Sequence, residues 1–415
     1  MIDLSSIDFD SGNISETIDM LKNKSVSVPS WDNLVKDYEP TMHGILSDTT
    51  TLKDKIRADG QLDKSSRIII GMEKLHVRRL SEFTFSIPVK RVYHNVDDNK
   101  LRKDIVNAIE SVYKNVRIDS ENLKRATALY ASCEIFTVWY AVKKRNRLYG
   151  FDSEYKLKCK TFSPMNGVRL YPLLNEMDDM LAMSFEYKKT VKDKEVTFFE
   201  TYTKDKHYIW KQSDGVGKWD VVLTQQTEDG DTANGEEIVL MKIPGVYGWR
   251  SKPVYDGLSP IRTEIEYSLS RNSNVIAYNS APLLKVVGAT KGKEDKGESY
   301  RVVHCEQGGD VSYVSWSQSV EALKYHVDSM QKMYWMQAQI PDISFDNMKG
   351  LGNIGYDARQ TLLSDAHLRV GDEAGTWIEF FERECNVIKA FLAAMNTAWA
   401  GEMDNIGVEH IITPY

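Results

Sequence analysis

The chain has 415 residues, of which 42% are apolar and 27% are charged, and its formal net charge is −7. This composition predicts a globular protein of two or three domains, and it excludes both a disordered chain and a histone-like protein that binds DNA over its whole surface. The four cysteines lie far apart and fit neither a zinc site nor a redox motif, so we expect reduced thiols.

The first part of the chain has a helical pattern. Residues 1–63 are mixed and polar, which is typical of an arm. Apolar residues at steps of three and four predict helices over residues 14–22, 64–86, 100–113 and 120–142. The most apolar stretch, residues 126–142, is too short to span a bilayer comfortably and contains Glu134, so we expect a buried helix and no membrane association. The acidic N-terminus does not resemble a signal peptide, and we expect synthesis in a cytoplasm.

The apolar period then changes to two. Alternation of apolar and polar residues predicts strands over residues 181–187, 196–202, 207–211, 218–224 and 237–243. Asp214-Gly215 and Asp229-Gly230 provide turns between them. Because strand follows strand without helices between, the pattern predicts an antiparallel meander and an α+β fold.

A second helical region encloses a small insertion. Ser259 as N-cap and Pro260 at the first helical position begin a helix that reaches about Asn279. Another helix is predicted over residues 319–340, and Pro341 ends it. Between the helices lie two apolar segments separated by a charged loop that contains Lys291, Lys293, Glu294, Asp295 and Lys296. The insertion is too short to fold alone, so we expect it to cap the two helices.

The remainder comprises a Gly-rich loop at residues 344–355, a long helix over residues 372–400 and a last strand over residues 408–413. Residues 350–355 spell G-x-G-x-x-G, but no apolar strand precedes them, so a flexible loop is predicted rather than a dinucleotide site. No constellation of catalytic, metal-ligating or cofactor-binding residues is recognisable, and we expect no enzymatic activity, no cofactor and no metal.

A basic stretch, residues 143–160, carries seven Lys or Arg against two acidic residues, with aromatic residues interleaved. Such a stretch fits a contact with nucleic acid or an acidic partner, and it equally fits a solvated surface.

The order of these elements resembles that of the portal proteins of tailed bacteriophages. Four stretches carry the resemblance: KSSRIIIGMEKLHVRRLSEFTFSIPVKRVY, EIVLMKIPGVYGWRSKPVYDGLSPI, IRTEIEYSLSRNSNVIAYNSAPLLKVVGA and QAQIPDISFDNMKGLGNIGYDARQTLL. Family members usually continue past the last strand into a helical crown, which we expect to be absent here or outside this sequence.

The resemblance implies a subunit with a helical and β wing, a two-helix stem and a small β-containing clip. The implied segments are an N-terminal arm (1–63), wing (64–256), first stem helix (257–281), clip (282–318), second stem helix (319–341), channel loop (342–356), and returning wing helices with the last strand (357–415).

The resemblance also implies a function. Portal proteins form a homo-oligomeric ring of about twelve subunits at one capsid vertex of the virion, assembled in the host cytoplasm. The ring is the conduit for DNA packaging and ejection, and it docks the terminase motor and the head–tail adaptor; major capsid and scaffolding proteins are further partners. The residues expected to face double-stranded DNA are Lys324, Asp328, Lys332, Asn347 and Lys349, and those expected in the docking loop are Lys291, Lys293, Glu294, Asp295 and Lys296.

Alternatives remain for both the protein and its stem residues. Another phage ring or connector protein would share the assembly logic, and a dinucleotide-binding enzyme would require residues 350–355 to bind a pyrophosphate. The polar face of residues 319–340 is also compatible with a solvated surface that has no role toward DNA.

Overall fold

The structure, a computed structural model, describes most of the chain. The described residues are 7, 9, 13–56, 60–96, 99–212, 217–226, 232–279, 283–287, 290–296, 300–305, 310–314, 320–341, 361 and 363–415. Their helices are α1 (Ile14–Leu21), α2 (Trp31–Tyr38), α3 (Met72–Phe85), α4 (Lys100–Val116), α5 (Ile118–Ser132), α6 (Ser259–Asn279), α7 (Val320–Ala338), α8 (Ser364–Met395) and α9 (Ala400–Met403).

Most strands pair in antiparallel fashion with a strand that is close to them in sequence. They are β1 (Lys55–Ile56), β2 (Leu62–Asp63), β3 (Lys90–His94), β4 (Glu134–Asn146), β5 (Ser153–Phe162), β6 (Arg169–Leu174), β7 (Met180–Val191), β8 (Lys194–Thr203), β9 (Lys206–Gln212), β10 (Trp219–Val221), β11 (Thr224–Gln226), β12 (Thr232–Asn234), β13 (Glu236–Glu237), β14 (Gly245–Trp249), β15 (Leu283–Val287), β16 (Thr290–Lys296), β17 (Tyr300–Cys305), β18 (Asp310–Val314) and β19 (Gly407–Ile411). Helices and antiparallel sheets are mixed, as the α+β class predicts.

The chain forms two compact units. Unit 1 contains Met1–Tyr38, Glu73–Asp256 and Ala338–Tyr415, and unit 2 contains Glu39–Met72 and Gly257–Gln337.

Unit 1 is built around a meander whose strand order is β10–β9–β8–β7–β6, with β13 also paired with β9. Both faces of this meander are buried. On one face, Phe199 and Trp210 pack with Ile18 of α1. On the other face, Phe185 packs with Phe136 of the second sheet, whose order is β14–β4–β5. The period-two pattern thus places alternate residues of β6, β7 and β8 in two different hydrophobic clusters.

Helix α8 anchors the C-terminal part of unit 1. Its Trp377 is fully buried, meets Phe85 edge-to-face at 4.9 Å between ring centroids, and donates its indole N–H to the Tyr130 hydroxyl at 3.0 Å. Strand β19 then pairs with β3. The Tyr415 N–H donates to the Phe83 carbonyl at 3.0 Å. The chain after α8 therefore returns to the segment that follows α3.

Unit 2 contains α6, α7 and two nested antiparallel pairs, β15 with β18 and β16 with β17. An extended segment before α3 is strapped along α6. Backbone N–H groups of Ile70, Ile68 and Ser66 donate to the side chains of Glu266, Ser270 and Asn274. Three alternate N–H groups that point the same way are the mark of an extended chain. We call residues 66–70 the strap.

Three secondary-structure predictions were wrong. The helix predicted over 120–142 ends at Ser132, because Cys133 takes a left-handed conformation (φ 66°) and the β-branched and aromatic run that follows forms β4. The helix predicted over 64–86 begins only at Met72, because the strap is extended. The strand predicted over 237–243 stops at Glu237, and a strand that the pattern did not predict, β14, follows Pro244.

The segment between the two stem-like helices also differs from expectation. The charged stretch predicted to be a loop is largely β16, whose register pairs Lys293 with Val303 and Asp295 with Arg301 of β17. Tyr300, Val302 and Val303 of β17 supply the β propensity that the charged stretch lacks. The clip residues named above therefore lie on a hairpin.

Candidate channel and docking surfaces

Helix α7 carries three of the predicted DNA-facing residues on one line. Lys324, Asp328 and Lys332 are four residues apart and all exposed. Steps of four keep side chains on one face of a helix, about 6 Å apart along its axis. Tyr334 and Ala338 of the same helix are buried. The structure therefore presents a solvent-exposed stripe in which an anion lies between two cations.

Apolar side chains are also exposed on the two long helices of unit 2. Tyr325 and Met336 of α7 are 76% and 69% exposed, and Ile276 of α6 is 53% exposed. The helical period alone does not distinguish such residues from core, so sequence reasoning missed them as surface features. Exposed apolar groups in this density are typical of protein–protein contacts.

The strap is joined to α6 by a buried polar cluster. The Glu266 carboxylate accepts from the His43 ring at 2.7 Å, from the Ile70 N–H at 2.8 Å and from Arg262 at 3.0 Å. Burial alone would raise the pKa of Glu266, but these donors and the Arg262 charge hold its pKa below the ordinary value. The carboxylate is thus charged and fully satisfied, which rigidifies the N-terminal half of α6.

The predicted docking residues lie on one strand. Lys291, Lys293, Glu294, Asp295 and Lys296 all belong to β16, which carries a register irregularity near its start, between Thr290 and Gly292. The remaining predicted channel residues, Asn347 and Lys349, lie outside the described residues, as does the G-x-G-x-x-G segment.

The basic stretch is a β-hairpin formed by β4 and β5. Arg145 and Arg147 at its tip both reach Asp152, at 2.8 and 3.6 Å. Lys143 and Lys144 are exposed beside them. Two of the tip cations are therefore partly neutralised within the hairpin, and exposed pairs of this kind contribute little to stability.

The cysteines in unit 1 are not activated. Cys133, Cys159 and Cys385 are free thiols. Burial raises the pKa of Cys133 to about 12, and it raises the pKa values of Cys159 and Cys385 to about 11. A thiol with a raised pKa is a poor nucleophile and a poor metal ligand at neutral pH.

The described residues provide neither a metal site nor a membrane span. Within the ranges given above, no group of three or more His, Cys, Asp or Glu side chains is arranged to hold a metal ion. None of the described helices combines the length and apolar character needed to cross a bilayer.

Comparison with known proteins identifies the family. Residues 19–410 match the family model described as phage portal protein, SPP1 Gp6-like. No curated protein matched the chain. The family match covers both units and confirms the resemblance found in the sequence. Members of this family are structural components of the viral capsid, where they form an oligomeric ring, rather than enzymes. The chain belongs to the phage portal protein family.

Proposed function

We propose that this chain forms the portal ring at one capsid vertex and that double-stranded DNA passes through the ring during packaging and ejection. The observation that carries the proposal is the family match over residues 19–410. The order of α6, β15–β18 and α7 supports it, since two long helices that flank a small β element suit a stem and a clip. Head-to-tail contacts between about twelve copies would close such a ring.

In this proposal, α6 and α7 are the stem helices and the α7 stripe faces DNA. Lys324, Asp328 and Lys332 place opposite charges next to one another. Each lysine–phosphate contact releases counterions and strengthens binding, so a continuous line of cations would retain the duplex. A carboxylate between two lysines repels phosphate and weakens any single bound register. The stripe therefore favours passage over retention.

The channel loop completes the conduit. Residues 342–356 would project into the channel, where Asn347 donates hydrogen bonds and Lys349 offers a positive charge to passing phosphates. Support for this part of the proposal comes from the sequence and the family resemblance.

The β15–β18 element is proposed as the clip, on which the terminase motor docks during packaging and the head–tail adaptor docks afterwards. Three lysines and two acidic residues on β16 provide charged groups for such contacts. Major capsid and scaffolding proteins would contact the remainder of the ring. ATP hydrolysis belongs to the motor in this scheme, and the portal chain has no catalytic activity of its own.

Negative-stain images of the purified protein test the proposal. We expect rings with a central channel and a narrowing at one end, and we expect no ATP turnover unless the motor is added. Particles without a channel, or ATP hydrolysis by the purified chain, would overturn it. A ring without the narrowing would favour a different phage connector.

A further inference from the structure

A basic groove of about 410 Å³ runs along the outer edge of β5, between that strand and the end of α4 and α5. Lys156, Lys158 and Lys160 of β5 and Lys124 of α5 line it. Glu121 also lines the groove, but it pairs with Lys124 at 2.7 Å. The three β5 lysines therefore give this groove a net positive charge.

The backbone of β5 faces the groove at Cys159. The Trp139 N–H of β4 donates to the Pro244 carbonyl at 2.7 Å, which is on the side opposite β5. Its register partner Cys159 therefore directs its own backbone N–H and C=O away from β4 and toward the groove. Leu157 follows the same rule, but its N–H already donates to the Tyr149 hydroxyl at 2.9 Å. An extended segment of another chain therefore finds backbone groups to pair with near Cys159 and not along the whole edge.

A second surface of unit 1 has the opposite character. Residues 236–241, which we call the acidic turn, begin with β13, which pairs with β9 of the meander, and lead into β14. Glu236 and Glu237 are exposed. Val239 and Met241 are 84% and 69% exposed, although both are large apolar side chains. Two carboxylates followed by an exposed apolar run suit a protein contact better than solvent.

We propose that the acidic turn of one subunit lies in the basic groove of the next subunit. A ring closed by head-to-tail contacts requires two different, complementary surfaces on each copy. Unit 1 carries such surfaces on two different sheets, one at the β5 edge and one beside β9. The carboxylates then oppose the β5 lysines, and Val239 and Met241 cover the apolar floor at Leu157 and Ala128. The lysines also reject strands that lack acidic groups, which limits the partner to the correct segment. The inference rests on the proposed ring.

Charge exchange tests the contact. We expect the Lys158→Glu/Lys160→Glu variant to lose the ring in sedimentation at about 0.15 M salt, because like charges then face one another across the interface. The Glu236→Lys/Glu237→Lys variant should lose it in the same way, and a chain carrying all four changes should regain it. A misfolded variant would not be rescued by the second pair. Lys143→Glu/Lys144→Glu is the matched control, since these exposed lysines lie on the same hairpin outside the groove, and its rings should persist.

A disulfide tests the geometry. Asn166 lines the groove and is exposed, so the double change Asn166→Cys/Val239→Cys places one thiol on each of the two surfaces. With diamide as the oxidant, the two thiols lose two electrons and two protons and form a bond between subunits. We expect a ladder of linked chains on a non-reducing gel, and none from the Asn166→Cys/Met177→Cys control, because Met177 is 82% exposed elsewhere in unit 1.

The outcomes separate the interface from the ring. Rings that survive both charge reversals and give no ladder overturn the proposed contact while leaving the portal function intact. A wild-type chain that never forms rings overturns both. Loss of the ring in each reversal, with recovery in the combination, supports the contact.

Discussion

Arg125 of α5 and Glu384 of α8 form an ion pair that is closed to solvent on both sides. Their side chains are 0% and 1% exposed, and Arg125 Nη2 lies 2.8 Å from Glu384 Oε1. The Trp139 indole N–H of β4 donates to the same carboxylate oxygen at 2.9 Å. The consecutive elements α5 and β4 thus share one buried charge pair with α8, which is distant in sequence.

Breaking that pair should be costly. We expect Glu384→Ala to lower the free energy of unfolding by about 3–5 kcal/mol, because the Arg125 charge then stays buried without its partner. Chemical denaturation of the purified protein measures the change. Arg383→Ala is the control, because Arg383 is next to Glu384 in sequence but forms an exposed pair with Glu379. Loss of that pair should lower the free energy of unfolding by about 0.5 kcal/mol or less. Equal losses in the two variants would contradict this view of the buried pair.

His76 should make unit 1 sensitive to acid. Burial, together with the charges of Arg369, Arg250 and Arg79, lowers the pKa of His76 to about 3. In the unfolded chain the imidazole takes up a proton near pH 6.5, whereas in the folded chain it does not, so stability falls as the pH drops through this window. From pH 6.5 to pH 5 the loss from this group is about 2 kcal/mol.

A His76→Gln variant tests that assignment. Its free energy of unfolding should depend less steeply on pH between 6.5 and 5 than that of the wild type, whatever the absolute stability of the variant. If the His76 variant keeps the wild-type slope, the histidine is not held neutral in the fold.

Arg117 joins α4 to α5 in a left-handed conformation (φ 55°). Glycine adopts this conformation without the steric cost that a side chain incurs. Arg117→Gly should therefore raise the free energy of unfolding by about 1 kcal/mol, measured by thermal or chemical denaturation. Lys103→Gly, inside α4, should instead lower it by about 1 kcal/mol. A destabilised Arg117 variant would show that the arginine side chain contributes more than its backbone costs.

The α7 stripe gives a prediction about DNA passage. Asp328→Lys converts the alternating stripe into a line of three cations, so packaging should become slower, and the defect should shrink as salt is raised. Packaging rates with purified motor and proheads measure the effect. Glu176→Lys makes the same change of charge in an exposed turn of unit 1 and should leave the rate unchanged. A normal packaging rate in the Asp328 variant would show that the stripe does not face DNA in the channel.

The hydrophobic period predicted much of the fold, including the meander strands β7, β8 and β9 and both long helices of unit 2. It did not predict where α5 ends, because residues 126–142 are apolar throughout and carry no period that separates a buried helix from a buried strand. The left-handed turn at Cys133 decides the boundary, and a cysteine gives no signal for it. Tertiary packing against Tyr247 and Phe185 then selects β4.

The candidate surfaces were predictable to different degrees. The stripe of Lys324, Asp328 and Lys332 follows directly from helical spacing. The basic groove required the fold, since Lys124 and Lys158 meet only when α5 packs beside the β5 edge. Apolar residues at the acidic turn, such as Val239, resembled another strand in sequence, and only the exposure of their side chains separates them from core.

The strap and α6 have repeats of nearly, but not quite, the same length. Four helical residues rise about 6.0 Å, whereas two extended residues advance about 6.6 Å. Each successive N–H group of the strap is therefore displaced by about 0.6 Å relative to its acceptor on α6. Over the three hydrogen bonds to Glu266, Ser270 and Asn274, the accumulated displacement is small enough for the bonds to bend and still form. Several hydrogen bonds further along, the N–H groups of the strap would no longer lie opposite acceptors on α6. The two backbones therefore match over a short length only. This match selects one register, and it means that the backbone geometry sets the length of the strap.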